Sequence, residues 1–78
     1  MDMKQLRERK TLRTVDVAYH LGIAESTVRN WEKGRTVPKL RLDQFGKLLR
    51  LYECSFEQLE QATMRSLEKA EEHDSDRR

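Results

Sequence analysis

The sequence predicts an all-α fold, a compact five-helix arrangement, and three observations carry that expectation. Apolar side chains recur at spacings of three and four, the period-two alternation of a half-buried strand is absent, and glycine and proline divide the chain into short segments. Charged residues make up 38% of the 78 positions and aromatic ones only 6%, a balance that suits a helical, well-solvated protein.

The first helix starts behind Asp2, which with Gln5 three residues later has the pattern of a capping box. Met3 and Leu6 face the core from it, it breaks near Thr11, and Leu12 is expected to be buried. In the second helix Val17 and Leu21 are i, i+4 partners, with the small Ala18 where another helix crosses closely; in the third, Val28 and Trp31 are i, i+3 partners. Gly22 stands where the intervening turn needs a left-handed backbone, and Ile23 closes that turn. Gly34 ends the third helix, and Arg35 to Arg41, which holds the single proline, Pro38, reads as a loop. A fourth helix runs from about Leu42 to Tyr52, with Leu42, Phe45, Leu48, Leu49 and Tyr52 as a wide apolar face and Asp43 favourable near its N-terminus. Ser55 and Gln58 form a second capping box, from which a fifth helix leaves at Phe56.

The stretch from Thr14 to Lys33, TVDVAYHLGIAESTVRNWEK, therefore has the spacing of a helix-turn-helix, two helices crossing steeply over a tight turn. Basic residues gather at its end: between Arg29 and Arg41 stand Arg29, Lys33, Arg35, Lys39 and Arg41 against one acid, Glu32. Residues 1–52 hold 12 Lys and Arg against 6 Asp and Glu, a net +6, whereas residues 53–78 hold 4 against 8, a net −4. This split fits a surface for the phosphates of double-stranded DNA, with an acidic C-terminal tail as a candidate surface for a protein partner.

Other classes find little support. A single cysteine, Cys54, excludes an intramolecular disulfide and reads as a buried, unreactive thiol; no Cys/His grouping has metal-ligand spacing. His20 on the outer side of the second helix and His73 in the tail do not fit catalysis or metal binding. With no nucleophile–base pair and no phosphate loop, neither an enzyme nor a cofactor is expected. There is no signal peptide and no apolar run near the roughly 18 residues of a membrane span, so a cytoplasmic protein without a membrane partner is expected.

The chain resembles the phage-repressor and Cro class of helix-turn-helix proteins, the XRE family, across roughly residues 3–60. The resemblance rests on LRERK in the first helix, VAYHLGIAESTVRNWEKGRTVPK through the reading unit, LLRLYECSFEQL at the junction of the last two helices, and the pattern Gly22-Ile23 followed by Val28, Trp31, Glu32 and Gly34. It implies a repressor-like helix-turn-helix domain over residues 1–60 whose third helix, about 25–33, lies in the major groove. By position, Glu25, Ser26, Arg29 and Asn30 reach base edges: Asn30 suits adenine, Arg29 guanine or a phosphate, and Glu25 the N4 amino group of cytosine. Thr14, Thr27, Lys33 and Arg35 are placed for phosphates, and Lys39 for the sugar-phosphate backbone or an adjacent minor groove. Arg7 and Glu32 match positions that form a structural pair, and Trp31 belongs to core packing rather than to base stacking.

Two departures stand out. Where the family pattern has Thr or Ser followed by Gln at the start of the second helix, this chain has Arg13-Thr14, which shifts a phosphate contact to Arg13. Ala24 replaces the hydroxyl-bearing cap of the third helix, which leaves two roles open for Glu25, complementing that helix's N-terminus or reading a base.

Beyond residue 60, Leu59, Thr63, Leu67 and Ala70 recur at three and four. Residues 61–72 are expected to extend the fifth helix, with Phe56, Leu59, Thr63 and Leu67 pairing with a second copy; the other reading is a solvated helix that frays after Met64. Residues 73–78 are expected to be disordered. The function expected is that of a sequence-specific, double-stranded DNA-binding transcriptional regulator acting as a homodimer on paired half-sites. A protein-interaction module of the same fold, antitoxin-like or bridging coactivator-like, is the second reading, and the phosphate-facing charge argues against it.

Overall fold

Five helices follow one another in a computed structural model that describes the backbone of residues 1–76 and the side chains of residues 1–71: α1 (Met3–Arg9), α2 (Thr14–Leu21), α3 (Glu25–Glu32), α4 (Leu42–Tyr52) and α5 (Phe56–Asp76). No strand occurs among the described residues.

Local chemistry accounts for most of the boundaries. Asp2 Oδ1 accepts from the Gln5 N–H at 2.9 Å and the Asp2 N–H donates to Gln5 Oε1 at 2.9 Å, a complete capping box that starts α1. Thr11, at φ 55°, turns the chain out of α1, and Gly22, at φ 69°, ends α2 in the left-handed region that the tight turn requires. α3 begins behind Ala24 with no side-chain cap, as the alanine dictates. The Arg41 N–H donates to Gln44 Oε1 at 3.0 Å at the start of α4, and Gln44 Nε2 in turn donates to the Leu21 carbonyl at 3.1 Å, fastening α4 to the end of α2. Ser55 and Gln58 close the second box: the Ser55 N–H donates to Gln58 Oε1 at 2.8 Å, and the Gln58 N–H to Ser55 Oγ at 3.1 Å.

The helices share one core of Met3, Leu6, Val17, Ala18, Leu21, Val28, Trp31, Leu48, Tyr52, Leu59 and Ala62. Burying each large member contributes about 1.5–3 kcal/mol. Two expected core residues lie elsewhere. Leu12 is only half-buried, packed against the cluster from the α1–α2 connection. Leu42 is 89% exposed, because it opens α4 ahead of the turn whose Phe45 and Leu48 meet the core.

The fifth helix differs most from expectation. It runs to Asp76 rather than stopping near Glu72, so residues 73–76 are helical where disorder is expected; Arg77 and Arg78 lie outside the described residues. Its buried stripe is Leu59, Ala62 and Ser66, not Leu59, Thr63 and Leu67. Leu59, 2% exposed, is a core residue and is not available to a second copy, while Thr63 and Leu67 flank the stripe half-buried. Residues 61–72 are therefore part of the globule rather than an appendage: Ser66 Oγ accepts from the Met3 N–H at 3.2 Å, Lys69 pairs with Asp2, and Ala70 lies against Gly34. These contacts continue past Met64, where the alternative reading has the helix fray.

Candidate nucleic-acid interface

Burial of Val28 and Trp31 sets the rotation of α3. At 100° per residue, Ser26, Arg29, Asn30 and Lys33 then fall on the opposite side, with Glu25 at its flank. Ser26, Arg29 and Lys33 are exposed there, and Glu25 and Asn30 are half-exposed. Gly34, at φ 71°, turns the chain away, and the Arg35 N–H donates to the Asn30 carbonyl at 2.9 Å, so the basic loop departs directly from the last turn of this face.

The charges around this face are unevenly satisfied. Arg29 Nη2 donates to Glu25 Oε2 at 3.0 Å and Arg41 pairs with Asp43 at 3.3 Å. Lys33, Arg35 and Lys39 are exposed and have no carboxylate partner among the described residues. Arg13, by contrast, is engaged: its Nε and Nη2 donate to Asp16 at 3.2 and 3.1 Å, and this pairing holds the Asp16 carboxyl below its ordinary range. Thr27 is half-buried between the outward face and the core.

Glu25 and Thr14 are brought together. Thr14 Oγ1 donates to Glu25 Oε2 at 2.7 Å, across the turn from the first residue of α2 to the first residue of α3. This hydrogen bond, assisted by Arg29, outweighs desolvation and holds the Glu25 carboxyl below the usual carboxylate range.

Two supports keep α3 in place from behind. Arg7 grips Glu32 through two parallel bonds, Nε to Oε2 at 2.7 Å and Nη2 to Oε1 at 3.0 Å, while Nη1 donates to the Leu12 carbonyl at 2.8 Å. The bond to Glu32 prevails over burial and holds Arg7 firmly in its charged form. α5 supports the following turn, where Gly34 meets Ser66 and Ala70. The α5 contact was not legible from hydropathy, although the small residues Ala62, Ser66 and Ala70 at spacings of four mark a face suited to close approach.

The remaining candidates lie apart from this surface. His20 is exposed on α2 with its ring edge-on to Tyr19 at 5.7 Å, and the side chain of His73 lies outside the described residues. Cys54 is half-buried rather than buried, and burial pushes its thiol up, away from the reactive thiolate. Among the described residues, no group of three or more His, Cys, Asp or Glu is arranged to hold a metal, and no helix is long and apolar enough to cross a membrane.

Two helices crossing over a left-handed glycine, with a polar outer face and adjoining cations, define a helix-turn-helix protein. Residues 2–69 match the family described as helix-turn-helix domain, and the chain belongs to that family. At this level the domain points to a DNA-binding regulator. No curated protein and no solved structure matches the chain.

Proposed function

We propose that the chain is a sequence-specific, XRE-like transcriptional regulator of the cytoplasm that binds double-stranded DNA as a homodimer, with α3 in the major groove of each of two paired half-sites. The observation that carries this reading is the adjacency of an open polar helix face to the exposed cations Lys33, Arg35 and Lys39, which have no carboxylate partner among the described residues. A single α-helix fits the width of the major groove. In this position Ser26, Arg29 and Asn30 face base edges, and Lys33, Arg35 and Lys39 face phosphates together with Thr27, Arg13 and the backbone at Thr14, whose hydroxyl is taken by Glu25.

In this reading the two copies meet at the α4–α5 corner. Phe56 is 57% exposed and Met64 53% exposed, and with Val37, Pro38 and Phe45 they line a shallow apolar groove in which the rings of Phe45 and Phe56 meet edge to face at 6.3 Å. An apolar surface of this kind supports a contact between copies. This moves the expected contact off Leu59 and onto the outer side of α5.

Selection of bound sequences from random duplexes, followed by a salt titration on the selected site, tests the proposal. The expected result is a two-fold symmetric consensus with half-site centres about 34 Å apart and a steep fall of affinity with salt. No enriched sequence, or binding indifferent to salt, would instead assign the fold to protein interaction.

A further inference from the structure

Glu25, at the flank of the outward side of α3, has the wrong sign of charge for a phosphate-lined surface, and its surroundings define what it does. A single carboxylate oxygen, Oε2, accepts both the Thr14 hydroxyl at 2.7 Å and Arg29 Nη2 at 3.0 Å. The first residue of α2, the first residue of α3 and a guanidinium one turn further along α3 are thereby joined into one chain of hydrogen bonds.

Two consequences follow from donor counting. The hydroxyl hydrogen of Thr14 is spent on the carboxylate, so in this arrangement it cannot also be given to a phosphate, which only accepts. Arg29 keeps four of its five N–H donors, yet its guanidinium is tethered at one nitrogen instead of sweeping freely over an exposed helix surface. A guanine presents two neighbouring acceptors, O6 and N7, and rewards a guanidinium that is already held in place.

We propose that Glu25 is a positioning residue for base recognition: through the chain Thr14–Glu25–Arg29 it aims the Arg29 guanidinium at one guanine in each half-site, and it makes no base contact of its own. This rests on the reading of α3 as the groove helix and resolves the two roles that the sequence leaves open for Glu25. The carboxylate trades overall attraction for selectivity, since its charge opposes the phosphates while its geometry orients the reader.

The test compares base preferences of the full chain with those of Arg29→Ala, Glu25→Ala, Thr14→Val and the double variant Glu25→Ala/Arg29→Ala, each checked for unaltered helicity and thermal unfolding. Arg29→Ala is expected to lower discrimination at one position per half-site by roughly 5- to 100-fold. Glu25→Ala, and more weakly the near-isosteric Thr14→Val, should flatten preference at that same position, and Glu25→Ala should add nothing in the Arg29→Ala background. Glu25→Ala should also bind unrelated duplexes more tightly than the parent, because a negative charge has left the interface. Altered preference at a different base would make Glu25 a direct reader and overturn the inference. Uniform weakening on all sequences, with preferences intact, would reduce Glu25 to a structural role and overturn it too. A parent chain without any base preference would overturn the functional reading beneath it, which is a separate and recognisable result.

Discussion

A β-carbon placed on Gly34 would collide with the carbonyl oxygen of Ser66. The turn that ends α3 and the middle of α5 thus approach to a distance that only glycine permits, at a backbone φ of 71° that other residues adopt at a cost.

Gly34→Ala is therefore expected to cost about 3 kcal/mol, the left-handed backbone contributing about 1 kcal/mol and the rest coming from displaced helix packing. Gly22 supplies the control. It has nearly the same φ, 69°, but nothing within 4 Å of the added carbon, so Gly22→Ala should show only the backbone part of about 1 kcal/mol. Urea unfolding of the two variants measures the difference, and equal losses would mean that α5 does not press on this turn.

Arg7→Met should cost about 3 kcal/mol, because it strands the nearly buried Glu32 carboxylate and leaves the Leu12 carbonyl without its donor. Adding Glu32→Leu should recover most of that loss, since the stranded charge goes as well. The same unfolding measurement on the single and double variants decides whether the pair acts as a unit.

If Lys33, Arg35 and Lys39 each meet a phosphate, replacing any one by Ala should reduce the magnitude of the log–log salt slope of DNA binding by about 1 per half-site, with base preferences unchanged. Asn30→Ala should do the reverse, relaxing one position at a cost of roughly 1–3 kcal/mol while leaving the slope alone. Titrations at several salt concentrations on matched and mismatched sites separate the two behaviours.

Acid should loosen the contact between the chain's first turn and α5. Burial works against the charged form of Asp2, but the hydrogen bonds from Lys69 and the Gln5 N–H, with nearby positive charge, hold its carboxyl below the ordinary value of 3.8. A carboxyl lowered in the folded state contributes stability that is present above about pH 4 and lost as the pH falls through the lower folded value. Asp2→Asn keeps the capping oxygen and removes the charge, so it should be less stable than the parent at pH 6 and nearly equal to it at pH 2. A constant gap between the two unfolding curves at both pH values would contradict this.

Met64→Ser and Phe56→Ser should weaken self-association in sedimentation experiments while changing the stability of the monomer little, because both side chains are largely exposed. Leu59→Ala is the contrast, with an expected loss of about 2–5 kcal/mol from the core itself. Unaltered sedimentation of the two surface variants would place the dimer contact elsewhere.

What the sequence disclosed is what is encoded over a few neighbouring residues. Asp2 with Gln5, Ser55 with Gln58, the glycines at 22 and 34, and the inward phase of Val28 and Trp31 are all local patterns, and the last of these also orients Ser26, Arg29 and Asn30. Hydropathy turns α5 by one step around its axis, because it favours Leu67 over Ser66. The helix in fact meets backbone, the Met3 N–H and the Gly34 turn, where a small polar side chain fits and a leucine does not. The bond from Thr14 to Glu25 was equally invisible, since it links two helix starts 11 residues apart through side chains that each have an independent reason to be there.

The seam formed by Met3 with Ser66 and Asp2 with Lys69 joins positions 63 and 67 residues apart in the chain. Such a seam can close only once residue 69 has been made. While the polypeptide is being made, α2 and α3 find each other over a few residues, but α1 must wait for nearly seventy to be available before its N-terminal turn is seated. Until then α1 is held only through Arg7 and Arg9 and its inward residues, and a chain interrupted before Ser66 would carry its helix-turn-helix with one side of α1 open.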